Sequence, residues 1–338
     1  MMQQYQRIKR EHPDTILFFR MGDFYEMFFE DAKIASPVLE IALTSRNKNK
    51  SNPIPMCGIP YHAANGYISK LIRSGKKVAI CEQMEDPKAT KGLVKREVVR
   101  IITPGTVLDD NLLDPKNHHF LASIFLDGQG FGLAALDLTT GLFRVTEFSG
   151  EDAEQLLMDE IEKLDPREIL IPDSAGNRNG KWGGWLKDQS FAIQTQEDWT
   201  FSYSQAYRLL LEHFKTHSLE GFGCEDYKMA ISAAGALVQY LHETQKSTLE
   251  HINTLSTFHI RNYMLLDPST IKNMELVQAS DGGRRGSLLD LLDLSQTPMG
   301  ARRIKEWVLK PLVELKAIQE RLELVAEFKN NLLLRRDL

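Results

Sequence analysis

The chain has 338 residues, of which 42% are hydrophobic, and it carries a formal net charge of −5 at pH 7. This length exceeds one ordinary hydrophobic core and predicts two or three domains, while the apolar content excludes wholesale disorder. The N-terminus lacks a signal peptide, and no apolar run approaches the ~20 residues of a membrane span. We therefore expect a cytoplasmic protein without a membrane partner.

The charge is unevenly distributed along the chain. Residues 1–115 contain 17 Lys/Arg against 14 Asp/Glu, whereas the remainder contains 24 against 32. A mildly basic first third permits a phosphate-facing surface, although from charge alone ordinary solvated faces are the favoured explanation. The cysteines Cys57, Cys81 and Cys224 form neither a CxxC pair nor a zinc spacing, which predicts reduced, buried thiols.

Residues 1–112 are predicted to form a first, mixed α/β domain. "QQYQRIKREH" has helical spacing and ends before Pro13, "TILFFRM" reads as a strand, and 25–39 has the spacing of a helix. "HAANGYISKLIRSGKK" predicts a helix closed near Gly75. The segments "VAICEQ" and "VKREVVRIITPGTV" predict two further strands.

Residues 113–248 are predicted to form a second α/β domain after a polar linker over 109–119. Three strands joined by glycine-bearing turns predict an antiparallel meander: "FLASIFLDG", "GFGLAALDLTTG" and "LFRVTEFSG". A helix over 151–164, the strand "REILIPDS" and helices over 203–217 and 227–245 complete it.

Residues 249–338 are predicted to begin a helical domain. Apolar residues recur there at spacings of three or four positions and, once, seven, which predicts an amphipathic seam: Leu315, Ile318, Leu322, Val325 and Leu332. The last helical pattern stops at "NNLLLRRDL" without a Gly or Pro stop signal, which indicates that the parent chain is longer.

Nucleotide and metal motifs are weak. "DGGRRGSLL" lacks the Lys of a phosphate-binding loop and predicts a loop and helix start. His213 and His217 are four residues apart on a predicted helix, but a solvated face explains them better than a metal. His118 and His119 lie in the linker, where we expect solvent exposure.

Asp137 in "AALDLTTG" supports an alternative function, that of a metal-dependent nuclease. Nucleases of the ribonuclease H type place an Asp on a central strand, and further carboxylates converge there to hold two metal ions. Asp173 and either Glu160 or Glu162 are candidates for the remaining ligands. Because one Asp before a turn is a weak signal, a shared topology without the chemistry is favoured over this nuclease.

Several segments of the first domain resemble the MutS DNA mismatch-repair family. They are "FFRMGDFYEMFFEDA" (18–32), "IPMCGIPYHA" (54–63), "VAICEQMEDP" (78–87) and "VVRIITPGT" (98–106). "GFGLAALDLTTGLF" resembles the ribonuclease H-like connector domain of that family, and "TPMGARRIKEWVLKPL" (297–312) resembles the start of its helical core domain. The resemblance covers essentially the whole chain.

The resemblance implies particular roles in the first of these segments. Phe24 would enter the minor groove beside a mispaired base, and Glu26, two residues on, would hydrogen-bond a base edge. Met21 would touch the groove or support Phe24, while Tyr25, Phe28 and Phe29 would pack the core. Arg46 is the loop cation that the family implies, whereas Lys48 and Lys50 are inferred from charge alone.

The resemblance also implies what lies outside these residues. Full-length family members are homodimers with clamp domains and an ATPase that uses ATP and Mg²⁺, and their connector contacts a MutL-type partner. We expect this chain itself to be monomeric, to have no enzymatic activity, and to need no cofactor or metal. We expect it to bind mismatched double-stranded DNA weakly, with the full-length protein associated with the nucleoid. The nuclease at Asp137 and a protein-interaction scaffold without a DNA role remain the alternatives.

Overall fold

The computed structural model describes residues 1–46, 53–85, 92, 94–108, 113–128, 130–176, 181–246 and 249–337. The chain divides into two compact units. The first comprises 1–113, 119–147 and 166–256, and the second comprises 114–118, 148–165 and 257–338. Among the described residues, no helix combines the length and the hydropathy needed to cross a bilayer.

The first six strands form one sheet flanked by three helices. The elements are α1 (Met2–Glu11), β1 (Thr15–Met21), β2 (Phe24–Phe28), α2 (Phe29–Leu39), β3 (Thr44–Arg46), β4 (Ile54–Pro60), α3 (Ala64–Arg73), β5 (Lys77–Gln83) and β6 (Arg96–Ile102). The strand order is β3-β4-β2-β1-β5-β6. Strands β1 and β5 are parallel, and the other neighbouring pairs are antiparallel.

Strand β1 lies in the middle of this sheet and is buried on both faces, which explains its unbroken apolar run. Phe18 packs in a cluster with residues of α2 and α3. Phe19 points to the opposite face, into a cluster with Tyr5 of α1. The predicted helices, and the predicted strands at 15–21, 77–83 and 96–102, are thus confirmed, except for the helix expected over 25–39.

That helix begins later than the sequence predicts. Residues Phe24–Phe28 form strand β2, which pairs with β1 on one side and β4 on the other. The helix starts only at Phe29, whose φ of 55° breaks the extended backbone. The prediction was wrong because a central strand is apolar on both faces, so its spacing cannot be told from that of a buried helix.

The next part of the chain forms a second mixed sheet with helices. Its elements are β7 (Phe120–Leu126), β8 (Gly130–Asp137), β9 (Leu142–Ser149), α4 (Ala153–Leu164), β10 (Glu168–Pro172), α5 (Asp173–Gly176), α6 (Lys181–Lys187), β11 (Ala192–Gln196), α7 (Tyr203–Phe214), α8 (Lys228–Gln245) and β12 (Ser256–Thr257). The strand order is β11-β10-β7-β8-β9-β12. Strands β7, β8 and β9 are consecutive neighbours, which agrees with the predicted meander, and β10 is parallel to β7.

Helix α8 is the central helix of the first unit and is lined by small buried residues. A Cβ atom placed on Gly235 would lie 2.3 Å from the Cβ of Ala206 in α7. The two helices therefore approach more closely than any larger side chain would permit.

A buried carboxylate joins the end of the first sheet to the second. Glu168, at the start of β10, accepts hydrogen bonds from the Thr103 hydroxyl at 2.5 Å and the Gly105 N–H at 2.9 Å. Its other oxygen accepts a hydrogen bond from the Tyr240 hydroxyl of α8 at 2.8 Å. The segment that leaves β6 is thus fixed to two elements that follow it in the chain.

The second unit contains α4 and the C-terminal helices, which confirms a helical C-terminal region. These are α9 (Pro268–Asn273), α10 (Leu288–Leu292), α11 (Pro298–Leu309), α12 (Leu315–Asn330) and α13 (Leu332–Asp337). Lys310 pairs with the buried Glu160 of α4 at 2.5 Å. The expected seam is solvent-exposed at Leu315, Leu322, Val325 and Leu332.

Candidate nucleic-acid interface

A two-residue turn presents Phe24 at the surface. Met21 pairs with Phe24 across the hairpin of β1 and β2, leaving Gly22 and Asp23 as the turn. Gly22 has a φ of 59°, the positive angle that a type II′ hairpin turn requires at its first central residue. The Phe24 side chain is 48% exposed, whereas its neighbour Tyr25 is buried. An aromatic ring therefore stands outside the core on a short hairpin.

Glu26 lies on the same face of β2 as Phe24, because alternate residues of a strand point to the same side. Its side chain is only 20% exposed, and its Oε2 atom lies 3.7 Å from Nη1 of Arg46. Among the described residues, that Oε2 atom has no hydrogen-bond partner. Burial raises the pKa of Glu26, while the charges of Arg46 and Arg96 oppose the rise. The carboxyl group is thus partly buried beside Arg46, with one oxygen that makes no hydrogen bond among the described residues.

Arg46 comes to this face on the edge strand β3, where it pairs with Ile54 of β4. The sequence placed it on a loop, and the structure corrects this to the last residue of a short strand. Lys48 and Lys50 lie outside the described residues. The structure therefore places Phe24, Glu26 and Arg46 on one face of the sheet, with Arg46 close to Glu26.

Met21 is half-buried and packs on the cluster that contains Phe19. Its sulfur lies 3.6 Å from Nη2 of Arg96, a buried residue of β6 that the sequence analysis missed. Arg96 also donates to the backbone carbonyls of Arg20 at 2.8 Å and Val94 at 3.0 Å. Burial lowers the pKa of Arg96. Its one sequence signal is a basic residue within the strand pattern "VKREVVR".

All three aromatic residues behind the hairpin pack against the core as expected. Tyr25 and Phe28 are buried, and Phe29 is half-buried. Tyr5 of α1 makes edge contacts with Phe28 and Phe19, at ring distances of 5.1 and 5.4 Å. Such contacts hold the strands that carry Phe24 and Glu26 in place.

Asp137, the candidate nuclease residue, has hydrogen-bond partners within its own turn. Asp137 is buried at the end of β8, and its Oδ1 atom accepts hydrogen bonds from the backbone N–H and hydroxyl of Thr139. This is the geometry of a turn cap. In the part of the chain that the structure describes, no group of three His, Cys, Asp or Glu side chains could hold a metal ion. The nuclease at this position stays a prediction.

The histidines differ from expectation. Lys215 adopts a left-handed conformation that ends α7 before His217, so His213 and His217 do not share a helix face. The ring of His213 instead lies 2.8 Å from the carbonyl of Ile252. His119 is buried rather than solvent-exposed, because β7 begins at the next residue.

The cysteines and the glycine-rich segment behave as predicted. All three cysteines are free and buried, and burial raises the pKa of the Cys81 thiol to about 12. "DGGRRGSLL" is a loop that leads into α10, whose N-cap is Ser287.

Two mixed β-sheets with their helices, followed by a helical C-terminal region, define a multidomain α/β protein. Comparison with known proteins gives its family. Three family descriptions match in order: MutS domain I over residues 1–111, MutS domain II over 119–253 and MutS domain III over 269–338. The chain belongs to the MutS family.

Similar proteins carry the same family name over the whole length of this chain. The DNA mismatch repair protein MutS of Symbiobacterium thermophilum is 47% identical over 340 residues, covering 100% of this chain and 39% of that protein. MutS of Desulfosudis oleivorans is 48% identical over 98% of this chain and 38% of its own length, and MutS of Halothermothrix orenii is 46% identical over 99% and 37%. The chain thus spans less than two-fifths of the length of these relatives.

Proposed function

We propose that this chain binds mismatched double-stranded DNA, with Phe24 as the side chain that probes the base pair. The observation that carries this proposal is the exposed Phe24 ring on a two-residue hairpin, directly beside the half-buried Glu26. An apolar ring that enters the minor groove can separate two stacked bases. This unstacking costs a few kcal/mol in paired DNA and less at a mismatch, so the protein favours mispaired sites without reading sequence.

Glu26 adds a polar contact to this probe. A carboxylate close to phosphates is electrostatically unfavourable, so it is useful only where it finds a hydrogen-bond partner on a displaced base. Burial already raises the pKa of Glu26, and approaching phosphates act in the same direction. In its charged form the group accepts a hydrogen bond from a base, and in its protonated form it also donates one.

Cations near the probe supply part of the affinity. Arg46 lies on the Phe24 face, and each contact between a cation and a phosphate adds salt-dependent affinity. Because this chain offers few such contacts, we expect weak binding at ~0.15 M salt. Tight and mismatch-selective binding under those conditions would contradict this expectation.

The second and third parts of the chain are proposed to serve the same process. We infer that residues 113–248 are a ribonuclease H-like connector that contacts a MutL-type partner. The ATPase, its ATP and Mg²⁺, and the dimer of the full-length family lie outside this chain in the proposal, so the chain itself is monomeric and has no enzymatic activity. In the Symbiobacterium relative the matched region is 39% of the protein, which leaves room for those domains.

A duplex titration tests the central proposal. Affinity for a fluorescent duplex with one mismatch, and for its matched counterpart, is measured at low salt for the chain and for Phe24→Ala. Because stacking of one base on an aromatic ring contributes ~1–3 kcal/mol, Phe24→Ala is expected to weaken mismatch binding about 5- to 150-fold and to leave matched binding nearly unchanged. Trp199→Ala, which removes an aromatic side chain of similar exposure from the second sheet region, is the control. Equal preference in Phe24→Ala and the unmodified chain would refute the proposal.

A further inference from the structure

Arg20 lies behind the hairpin that carries Phe24. It is the penultimate residue of β1 and pairs with Tyr25, whereas the next residue, Met21, pairs with Phe24. Because successive strand residues point to opposite faces, Arg20 lies on the face opposite to Phe24 and Glu26. Its side chain is 17% exposed.

The guanidinium of Arg20 is held by three groups. It lies 3.6 Å from the centroid of the Tyr61 ring, a cation–π contact. Its Nη1 atom lies 3.8 Å from the Glu82 carboxylate, which also accepts a hydrogen bond from the Tyr25 hydroxyl. Its Nε–H donates to the carbonyl of Gly22 at 2.6 Å. The planar side chain therefore joins the core of the domain to the first residue of the turn.

A second hydrogen bond fixes the other turn residue. The backbone N–H of Tyr61 donates to the carbonyl of Asp23 at 3.0 Å. Both turn carbonyls are thus held by hydrogen bonds, one from a side chain of β1 and one from the backbone N–H of Tyr61, which follows β4. This matters because glycine at the first turn position has no intrinsic preference for the required conformation.

We propose that Arg20 is a positioning residue for mismatch selectivity, an inference that rests on the proposed role of Phe24. By holding the Gly22–Asp23 turn, Arg20 presents the Phe24 ring to DNA in one orientation. A ring that is already ordered loses less conformational entropy on insertion between bases, so more of the stacking energy is realised as binding. Arg20 acts through Phe24 and does not contact the DNA that Phe24 enters.

Substitution by lysine separates geometry from charge. Arg20→Lys keeps the positive charge but removes the planar guanidinium and the Nε–H that bonds Gly22. The ratio of mismatched to matched duplex affinity is expected to fall about 2- to 10-fold, with matched affinity and its salt dependence unchanged. Arg73→Lys, an exposed arginine at the end of α3, is the matched control and should leave the ratio unchanged.

A second pair of variants probes the platform under Arg20. Tyr61→Leu removes the ring that supports the guanidinium and is expected to lower the ratio, whereas Tyr61→Phe keeps the ring and should preserve it. Since Tyr61 is 43% exposed, both variants should fold even if Arg20→Lys does not. A fluorescent base analogue opposite the mismatch reports base unstacking. This unstacking should decrease in Arg20→Lys and in Tyr61→Leu but not in Tyr61→Phe or Arg73→Lys.

A double-mutant cycle with Phe24→Ala decides the mechanism. If Arg20 acts through Phe24, Arg20→Lys causes no further loss of selectivity in the Phe24→Ala background. An unchanged ratio in both Arg20→Lys and Tyr61→Leu, or equal losses with and without Phe24, would overturn the inference while leaving the proposed function intact. If Phe24→Ala itself leaves the ratio unchanged, the proposed function fails and the inference fails with it.

Discussion

The carboxylate of Glu168 offers a direct test of how the two sheets are connected. This side chain is 1% exposed and accepts hydrogen bonds from Thr103, Gly105 and Tyr240. Glu168→Leu removes every acceptor, whereas Glu168→Gln keeps one oxygen and replaces the charge by an amide. The two variants therefore differ in how many buried donors lose their partner.

The expected costs follow from these partners. In Glu168→Leu the Thr103 hydroxyl retains the Thr106 hydroxyl at 3.0 Å, but the Gly105 N–H and the Tyr240 hydroxyl lose their acceptors. At ~1–3 kcal/mol for each unsatisfied donor, the free energy of unfolding should fall by about 2–6 kcal/mol. Glu168→Gln replaces charge-assisted hydrogen bonds by neutral ones and should cost about 1–3 kcal/mol.

Urea unfolding of the chain and its variants measures these differences. The transition midpoint should decrease in the order control, Glu168→Gln, Glu168→Leu, at constant slope. Glu250→Gln, which changes an exposed carboxylate, is the control. Amide exchange at Gly105 should accelerate in both Glu168 variants, because its N–H loses the carboxylate. Midpoints and exchange rates equal to those of the control would refute this account.

Two further predictions concern the helices and the probe face. Gly235→Ala should destabilise the chain by about 1–3 kcal/mol, because the new Cβ atom would lie 2.4 Å from the Cα of Ala206. Gly66→Ala in α3, with nothing within 4 Å, should instead be neutral or stabilise by up to ~1 kcal/mol; the opposite order of the two thermal midpoints would contradict this. Burial raises the pKa of Glu26, so its contribution to stability is fully present below the ordinary value of 4.5 and is lost as pH rises through the raised value. Relative to Glu26→Gln, the unmodified chain should therefore lose unfolding free energy as pH increases across that window, and a gain would show that the shift has the wrong sign.

Much of the local structure could be predicted because its causes are local. Pro13 and Gly75 mark the ends of α1 and α3 as expected, and the apolar run "TILFFRM" is a strand buried on both faces. The error over residues 25–28 arose where local spacing fits two structures equally well. Pairing with β1 and β4 decided between them, and that pairing depends on residues up to 36 positions away, at Pro60.

The sequence by itself determined the family, the ends of α1 and α3 and the burial of the cysteines. Each of these depends on residue type or on neighbours within a few positions. Only the tertiary structure decided the surroundings of the probe: Arg46 beside Glu26, Arg96 beneath Met21, and Arg20 against the ring of Tyr61. These contacts join different strands or, for Tyr61, the residue that follows β4, because the order of strands in a sheet, rather than spacing along the chain, sets which side chains share a face.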